Sequence, residues 1–349
     1  MASGPSGSAS ALQPALSPVG PAAQARPAAA ARSPIWGFIF RRLLLGIVVL
    51  FFVSVVVFLA TQALGDTARA ILGRTATPAS LAALREQLHL NRPLIVQYLL
   101  WAGGLLHGDA GVSLAAQEPV TKLIGDRIVN SAFLVFCSGI ISIPLSIAIG
   151  SYAALRRDKA FDVATSLSTL LFAALPEFVV GVSLVVLFAT TVLHVLPAVS
   201  LIPPGSRPWE NPVALILPTL TLVLAVTPYV ARIMRASMIE VLESDYVEMA
   251  RLKGLPERVV ITRHALPNAI GPTFQVIALN LAYLAGGIIV VEYVFNFAGI
   301  GGALRDAVSN RDVPVIQTLA MLIAGLYVVL NLLADIATIL VTPKLRTRL

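Results

Sequence analysis

The chain has 349 residues, of which 57% are hydrophobic and only 12% are charged, and its formal net charge is +7. A typical soluble domain has about 45–50% apolar and about 25% charged residues. This composition excludes a disordered chain, a coiled coil and an ordinary soluble enzyme, and it indicates a membrane protein. The single cysteine, Cys137, excludes a disulfide framework and a cysteine-based zinc site.

The N-terminal residues 1–34 are rich in Ala, Pro, Ser and Gly and have almost no large apolar side chains. Such a segment cannot bury enough surface to offset the entropy lost on ordering, so we predict a disordered cytoplasmic tail. The first transmembrane helix is predicted at 35–64, because its apolar run Leu43–Leu64 is long enough to cross about 30 Å of hydrocarbon.

Residues 65–130 carry too many charges to lie in lipid, and we predict that they form an extracytoplasmic segment. Two short amphipathic helices are predicted within it, at Ser80–Leu90 and Leu94–Leu106. The remaining residues, 131–349, are predicted to form a core of five transmembrane helices. These spans are expected at about 131–155, 161–196, 213–230, 271–293 and 315–342.

The 161–196 segment is long for one crossing, and it carries Pro176 and Glu177 in its middle. Proline removes a helix hydrogen bond and kinks the helix. We predict that this segment crosses the membrane once and that part of it lies along the inner interface.

Lysine and arginine are distributed unequally between the two sides of the predicted membrane. With the N-terminus inside, the inner segments hold 16 of the 25 basic residues, and the two short outer loops hold three. The positive-inside rule therefore predicts six spans with both termini cytoplasmic. This distribution explains the net charge without a nucleic-acid partner.

Charged side chains within spans usually face the bundle interior or water, because they are costly in lipid. Glu177, together with the adjacent Pro176, and Glu292 are therefore candidates for the translocation pathway or a gate. Two alternatives stay open: Glu177 stabilises the kink at Pro176, and Glu292 is an interfacial anchor. Asn331 and Asp335 lie one helical turn apart, and we expect them to hydrogen-bond between helices.

The polar segment 231–270 has its own helical pattern. Leu242, Tyr246 and Met249 recur at spacings of four and three, which predicts one apolar stripe on a helix. Gly254 is predicted to end that helix, and a second short helix follows. The pattern predicts a helix–glycine–helix elbow on the cytoplasmic face. It is either a solvated surface helix or a lever presented to a cytoplasmic partner.

Glu248-Met249-Ala250, then Gly254, then the segment from His264 to Pro267 resemble the EAA loop of binding-protein-dependent ABC importer permeases. Met249 replaces a family alanine, and His264 replaces an isoleucine. The stretch from Ala231 to Leu255 is similar to the dipeptide/oligopeptide permease branch, in the subunit with the long first outer loop. Further matches lie at Gly65-Asp66, Gly108-Asp109 with Gly111 and Ser113, Leu175-Pro176, Glu292 and Asp312-Val313-Pro314.

The resemblance implies an all-α polytopic membrane protein with the type I ABC importer permease fold, six transmembrane helices and a cytoplasmic coupling helix. It implies a non-enzymatic permease subunit in the bacterial cytoplasmic membrane, whose elbow docks on an ATPase. The residues implied in coupling are Leu242, Tyr246, Glu248, Met249, Ala250, Arg251, Lys253, Gly254, Leu266 and Pro267. Leu242, Tyr246, Met249 and Ala250 are expected to form the apolar contact, and Arg251 and Lys253 to pair with acidic groups of the ATPase.

The resemblance also implies partners: a homologous second permease subunit, two ATPase subunits or domains, and an extracytoplasmic substrate-binding protein. Gly299, Gly301 and Gly302 are expected to let their loop insert closely into the binding protein. No cofactor, metal or nucleic acid is expected on this chain, which lacks a P-loop motif, and ATP and Mg are expected on the ATPases. The implied substrates are di- or oligopeptides, with glutathione, haem and nickel open. The alternative is a secondary transporter driven by an ion gradient, which predicts paired broken helices and an internal repeat.

Overall fold

The computed structural model describes residues 34–63, 77–87, 91–203 and 205–341. The predicted tail, apart from its last residue, and the predicted Gly65-Asp66 match lie outside these residues. The helices, in chain order, are α1 (Pro34–Gln62), α2 (Pro78–Gln87), α3 (Leu94–Leu106), α4 (Val120–Leu155), α5 (Ala160–Ala174), α6 (Glu177–Val185), α7 (Pro212–Leu242), α8 (Asp245–Leu252), α9 (Glu257–Val259), α10 (Leu266–Phe295), α11 (Ile300–Ser309) and α12 (Val313–Val341).

Within the described residues the chain is helical throughout its regular structure, with one isolated β-bridge between Val112 and Pro119. In the part of the chain that the structure describes, four helices are long and apolar enough to cross a membrane unbroken: α1, α4, α7 and α12. Two further spans are bent pairs. One joins α5 to α6 and its π-helical extension through a 104° bend, and the other bends by 55° within α10. The predicted all-α fold with six spans is confirmed when each bent pair counts as one span.

The break between α5 and α6 lies at Pro176, as the sequence predicts. Leu175 is extended, with φ −90° and ψ 131°, because proline disfavours the helical conformation in the residue before it. The carbonyl of Ala173, which loses its helical partner at this break, accepts a hydrogen bond of 3.2 Å from the hydroxyl of Tyr229. A tyrosine hydroxyl on α7 therefore replaces the hydrogen bond that this backbone carbonyl loses at the break.

The core of the bundle is formed by α4, α7 and α10. Leu134 of α4, Leu217 and Leu222 of α7, and Leu284 of α10 are at most 1% exposed and belong to one apolar cluster. At Gly150 the backbones of α4 and α7 approach so closely that a Cβ would lie 2.5 Å from the Ala231 carbonyl oxygen. Small residues allow this kind of backbone approach between membrane helices.

Two helices extend beyond their predicted spans. α4 begins at Val120 rather than at residue 131, because its first turns bury Val120 and Ile124 against α11 and α12. α7 continues to Leu242 rather than ending near residue 230, because Met234 and Met238 are fully buried against α4 and α10. A hydropathy profile identifies the apolar run that lies in lipid. It does not identify further turns of the same helix that carry charged residues on one face.

Ion pairs join the helices near the end at which α7 meets α8, called here the elbow end. Arg235 of α7 forms two hydrogen bonds with Asp162 of α5, whose carboxylate is nearly buried. Arg42 of α1 pairs with Asp335 of α12 at 3.1 Å, which confirms the interhelical contact expected for Asp335. Asn331 instead donates to the Tyr327 carbonyl within its own helix, so that part of the expectation is wrong.

Candidate functional site

The elbow is a two-helix turn that connects α7 to α10. α7 ends at Leu242, Ser244 is extended, and the eight-residue helix α8 begins at Asp245. Asp245 and Glu248 lie in the first turn of α8 and Arg251 in its last, an order that favours the helix dipole. The helical pattern around Met249 predicts α8 correctly, but the single long helix expected from Leu242 onwards is interrupted at 243–244.

Gly254 ends α8 in a turn that only glycine adopts without strain. Its φ is +76°, in the left-handed region, and a Cβ there would have open space. The Gly254 amide donates to the Arg251 carbonyl and the Leu255 amide to the Ala250 carbonyl, at 2.9 and 3.4 Å. These two bonds form a Schellman motif, which satisfies carbonyls left free at a helix C-terminus. The predicted helix stop at Gly254 is confirmed.

The inward face of α8 packs on the neighbouring helices. Val247, Ala250 and Val260 form a small buried cluster, against which Val241 and Leu242 pack. Ala250 is only 6% exposed, so it faces the chain's own core. This corrects the expectation that Leu242 and Ala250 share one outward stripe with Tyr246 and Met249, because the break at 243–244 separates Leu242 from that face.

The outward face of α8 is apolar and exposed. Tyr246 is 46%, Met249 53% and Leu252 75% exposed. The spacing of three residues between each pair places these side chains together on one side of a short helix. The sequence reasoning missed Leu252, although it continues the spacing that joins Tyr246 to Met249. Exposed apolar patches of this kind are found at protein interfaces, so the face is a candidate docking surface.

Some of the charged side chains around the elbow form ion pairs within the chain. Arg251 forms two hydrogen bonds with Glu257, at 2.8 and 3.2 Å, and lies 3.4 Å from the Leu242 carbonyl. The Glu257 carboxylate raises the pKa of the Arg251 guanidinium above its usual value. Arg251 therefore holds α8 against α9. Its side chain is still 41% exposed, so its pairing with an acidic group of a partner stays a prediction. Glu248 and Lys253 are exposed on the surface.

Leu266 and Pro267 begin α10, after a π-helical turn at Val260–Ala265. Leu266 packs on a buried cluster formed by Ala154, Met234, Met238, Ala265 and Ala269, while Pro267 is exposed. Pro267 fits the first turn of a helix, where its missing N–H breaks no hydrogen bond. The two residues position the elbow on the core, and neither adds to the exposed apolar face.

Glu292 lies at the opposite end of α10 and is fully buried. Its carboxylate accepts a hydrogen bond from the Ser131 hydroxyl and another, of 2.6 Å, from the Gly301 amide. The Ser131 oxygen in turn accepts from the Ile300 amide at 2.9 Å. Glu292 thus fixes the start of α11 to α4, and the structure corrects its placement as a pathway or gate residue.

Gly299, Gly301 and Gly302 are buried around this carboxylate. A Cβ on Gly299 would collide with the Glu292 carboxylate, and one on Gly301 would lie 2.7 Å from the Ile289 Cα. These glycines are needed for close packing within the chain. Their expected insertion into a binding protein is therefore corrected, because none of them is on the surface.

A second buried carboxylate ties the first outer segment to the last span. Asp312 accepts from the Ser113 hydroxyl at 2.5 Å and from the Leu114 and Ala115 amides at 3.1 and 3.2 Å. Both residues belong to the motifs noted in the sequence, but their contact spans 199 positions and has no local signal. These hydrogen bonds hold the first outer segment against the start of α12.

Pro176 and Glu177 lie where the two bent spans meet. Glu177 is the first residue of α6, and the hydroxyl of Tyr283 on α10 lies next to its carboxylate. A Cβ on Gly287 would be 3.0 Å from the Glu177 Oε1. Glu177 therefore lies at a junction between helices and is half-exposed, unlike Glu292. Tyr229 and Tyr283, which complete this junction, were not singled out from the sequence.

Two family models match the chain. Residues 146–347 match the model described as "Binding-protein-dependent transport system inner membrane component". Residues 35–135 match the N-terminal model of such membrane components. Together the two models cover the spans, the elbow and the first outer segment.

Curated relatives match over most of their length. A probable peptide ABC transporter permease protein, y4tP, of Sinorhizobium fredii is 40% identical over 312 residues, which are 88% of this chain and 99% of the relative. The glutathione transport system permease protein GsiC of Escherichia coli (strain K12) is 36% identical over 310 residues, covering 88% of this chain and 98% of the relative. GsiC of Salmonella typhi shows the same identity and coverage.

Proposed function

We propose a peptide substrate for this chain, which belongs to the binding-protein-dependent transport system inner membrane components and is a translocation subunit of an ATP-driven importer. It is a multi-pass protein of the inner membrane. Permeases of this family are typically non-catalytic and work with ATPase and binding-protein partners. The family match removes the support for an ion-gradient-driven transporter, although the two bent spans alone would fit that class.

The peptide assignment is supported by the relatives' names. One 40% identical relative is described as a peptide permease, and another, 36% identical, as a permease for glutathione, itself a tripeptide. Both substrates are small, polar and carry an amino group and carboxylates. Substrates of another class, such as haem or nickel, have no such support from these two relatives.

We further infer that the exposed face of α8 docks on an ATPase partner. The observation that carries this inference is the two-sided packing of the helix. Val247 and Ala250 anchor it to the core, while Tyr246, Met249 and Leu252 are exposed on the other side. A push on α8 therefore passes through Met234 and Met238 of α7 to the bundle, because cores are close-packed and transmit strain.

The complete importer contains a second, homologous permease and two ATPase subunits or domains. ATP and Mg bind to the ATPases, and this chain holds no cofactor. The elbow end faces the cytoplasm, with both termini on that side. The supporting observation is the excess of Lys and Arg in the segments on this side of the spans.

Purification of the tagged chain from its native membranes in mild detergent tests this function. We expect co-purification of a second permease and of ATPases, with ATP hydrolysis stimulated by a binding protein loaded with tri-alanine or glutathione. Stimulation by neither peptide, together with stimulation by a nickel or haem complex, would contradict the peptide assignment.

A matched pair of variants tests the docking face. Met249→Ser is expected to reduce ATPase co-purification by at least about fivefold, because it removes an exposed apolar side chain without disturbing the core. Leu106→Ser removes a comparably exposed side chain, 86% exposed, from α3 and should have no effect on this readout. Equal co-purification by all three proteins would contradict the proposed docking.

A further inference from the structure

The two bent spans meet at their breaks. α6 begins at Glu177, after the 104° bend, and α10 changes direction by 55° between Leu281 and Gly286. Tyr283 lies within that second bend, and its hydroxyl is next to the Glu177 carboxylate. Gly287 follows the bend, and its lack of a side chain lets Glu177 approach the backbone of α10. Irregular backbone within a membrane is tolerated where it is buried in protein or lines a water-filled cavity.

One carbonyl freed at the break has a hydrogen-bond partner other than Glu177. The Tyr229 hydroxyl donates to the Ala173 carbonyl near the end of α5. No lysine or arginine in the described part of the chain forms a salt bridge with Glu177. The carboxylate therefore has a neutral hydroxyl beside it and keeps the capacity to accept a hydrogen bond from a cation.

The surface around Glu177 is aromatic and exposed. We call it the break surface, formed by Glu177, Tyr229 and Tyr283. Tyr229 is 43% and Tyr283 52% exposed in this chain. A carboxylate and phenolic hydroxyls at the middle of spans are costly if they face lipid, so such groups face a water-filled cavity or another protein chain. The break surface thus faces a water-filled cavity or another protein chain rather than the bilayer.

We propose that Glu177 on the break surface binds the N-terminal ammonium group of a peptide as it crosses the membrane. A carboxylate forms its strongest hydrogen bonds with charged donors, and this preference grows where water is partly excluded. The rings of Tyr283 and Tyr229 add an attraction for an ammonium group over their faces. The same site repels the peptide's C-terminal carboxylate, so it also selects the orientation in which the peptide enters. This inference rests on the proposed peptide function.

The test uses the complete importer, with its binding protein, reconstituted in proteoliposomes. Uptake is compared for tri-alanine, its C-terminal amide and its N-acetyl derivative, each at a concentration that saturates the binding protein. The variant is Glu177→Gln, which keeps the size and hydrogen-bonding capacity of the side chain and removes its charge. Glu118→Gln, at an exposed glutamate paired with Lys122 outside the spans, is the charge-matched control.

We expect Glu177→Gln to lower the rate of uptake of tri-alanine and its amide about tenfold, the size of effect typical for loss of a hydrogen bond to a charged group. Uptake of any N-acetyl peptide that the wild type transports should change less than twofold, and Glu118→Gln should behave as wild type. Glu177→Asp, which restores the charge, should recover part of the loss. The binding protein's affinity for each peptide is unchanged, because the variant does not alter that protein.

Wild-type uptake of tri-alanine by the Glu177→Gln importer would overturn the inference and leave the peptide function intact. An equal loss for an N-acetyl peptide that the wild type transports would also overturn it, and so would a lower melting temperature of the Glu177→Gln importer, because either result shows a structural role for Glu177. A wild-type importer that takes up none of the three peptides would overturn the peptide function and this inference together.

Discussion

The structure requires a glycine at both position 254 and position 301, but for different physical reasons. Gly254 has open space around it and a φ of +76°, so its requirement is conformational. Gly301 has an ordinary backbone and lies against the Ile289 Cα and the Glu292 carboxylate, so its requirement is steric. In the sequence both glycines lie in segments with a proposed functional role. Only the structure shows that one is required for its backbone conformation and the other for close packing.

Gly254→Ala is predicted to weaken coupling without a clash. An L-residue in the left-handed region costs about 1–2 kcal/mol, which favours unwinding of the turn after α8. We expect a several-fold fall in uptake and in ATPase co-purification. Gly205→Ala is the matched control, because Gly205 has a φ of +81° and open space but lies in a different loop. Equal losses for both variants would contradict a specific role of the elbow turn.

Gly301→Ala is predicted to destabilise the whole chain. Its Cβ would lie 2.7 Å from the Ile289 Cα, and overpacking of this kind costs about 1–3 kcal/mol. A thermal-unfolding assay of the purified protein in detergent should show a lower melting temperature. Gly125→Ala, at a helical glycine with open space, should leave the melting temperature unchanged or slightly higher. An unaltered melting temperature for Gly301→Ala would indicate that α11 can move away from Glu292.

At the scale of elements, the sequence predicts the presence of the helices more accurately than the residues at which they begin and end. The breaks at Pro176 and Gly254 are predicted from single residues whose backbone chemistry is restrictive. The extension of α7 to Leu242 is not predictable from hydropathy, because Arg235 makes that stretch polar. In the fold the charge of Arg235 is compensated by its ion pair with Asp162, which the hydropathy of α7 does not show. The bend within α10 carries no proline at its position, but the glycine pair Gly286-Gly287 directly follows it, and such pairs allow a helix to kink.

The buried carboxylates illustrate the same limit. Glu292 and Asp312 are recognisable as unusual residues in the sequence, but their partners are not. Ser131 is 161 positions from Glu292, and Ser113 is 199 positions from Asp312. Contacts at such separations depend on how the spans assemble. Sequence reasoning therefore placed Glu292 in the pathway, whereas the fold uses it to hold α11 to α4.

Asp312→Ala is predicted to release the first outer segment from the last span. The change removes the acceptor of three hydrogen bonds, from Ser113, Leu114 and Ala115, and should cost at least about 2 kcal/mol. Limited proteolysis of right-side-out vesicles, in which an added protease reaches the outer segment, should then cut the segment before α4 faster than in wild type. Glu118→Ala, at an exposed carboxylate paired with Lys122, is the control and should leave the cleavage rate unchanged.

At the scale of the whole molecule, two features of the bundle are connected through its core. The elbow packs through Val247 and Ala250 on the end of α7, and Met234 and Met238 continue this packing to α10. α10 carries Tyr283 at its bend, next to Glu177 at the start of α6. On the proposed docking of an ATPase, we expect a displacement of the elbow to reach the break surface through these packed side chains.

Site-directed photo-crosslinking in the native membrane tests the docking of the elbow most directly. A photoreactive amino acid replaces Met249, 53% exposed on α8, or Val308, 48% exposed on α11 at the opposite end of the bundle. We expect an adduct with an ATPase from position 249, with a yield that changes when ATP is added, and none from position 308. An ATPase adduct from position 308 instead, or no ATPase adduct from position 249, would contradict the coupling role of α8.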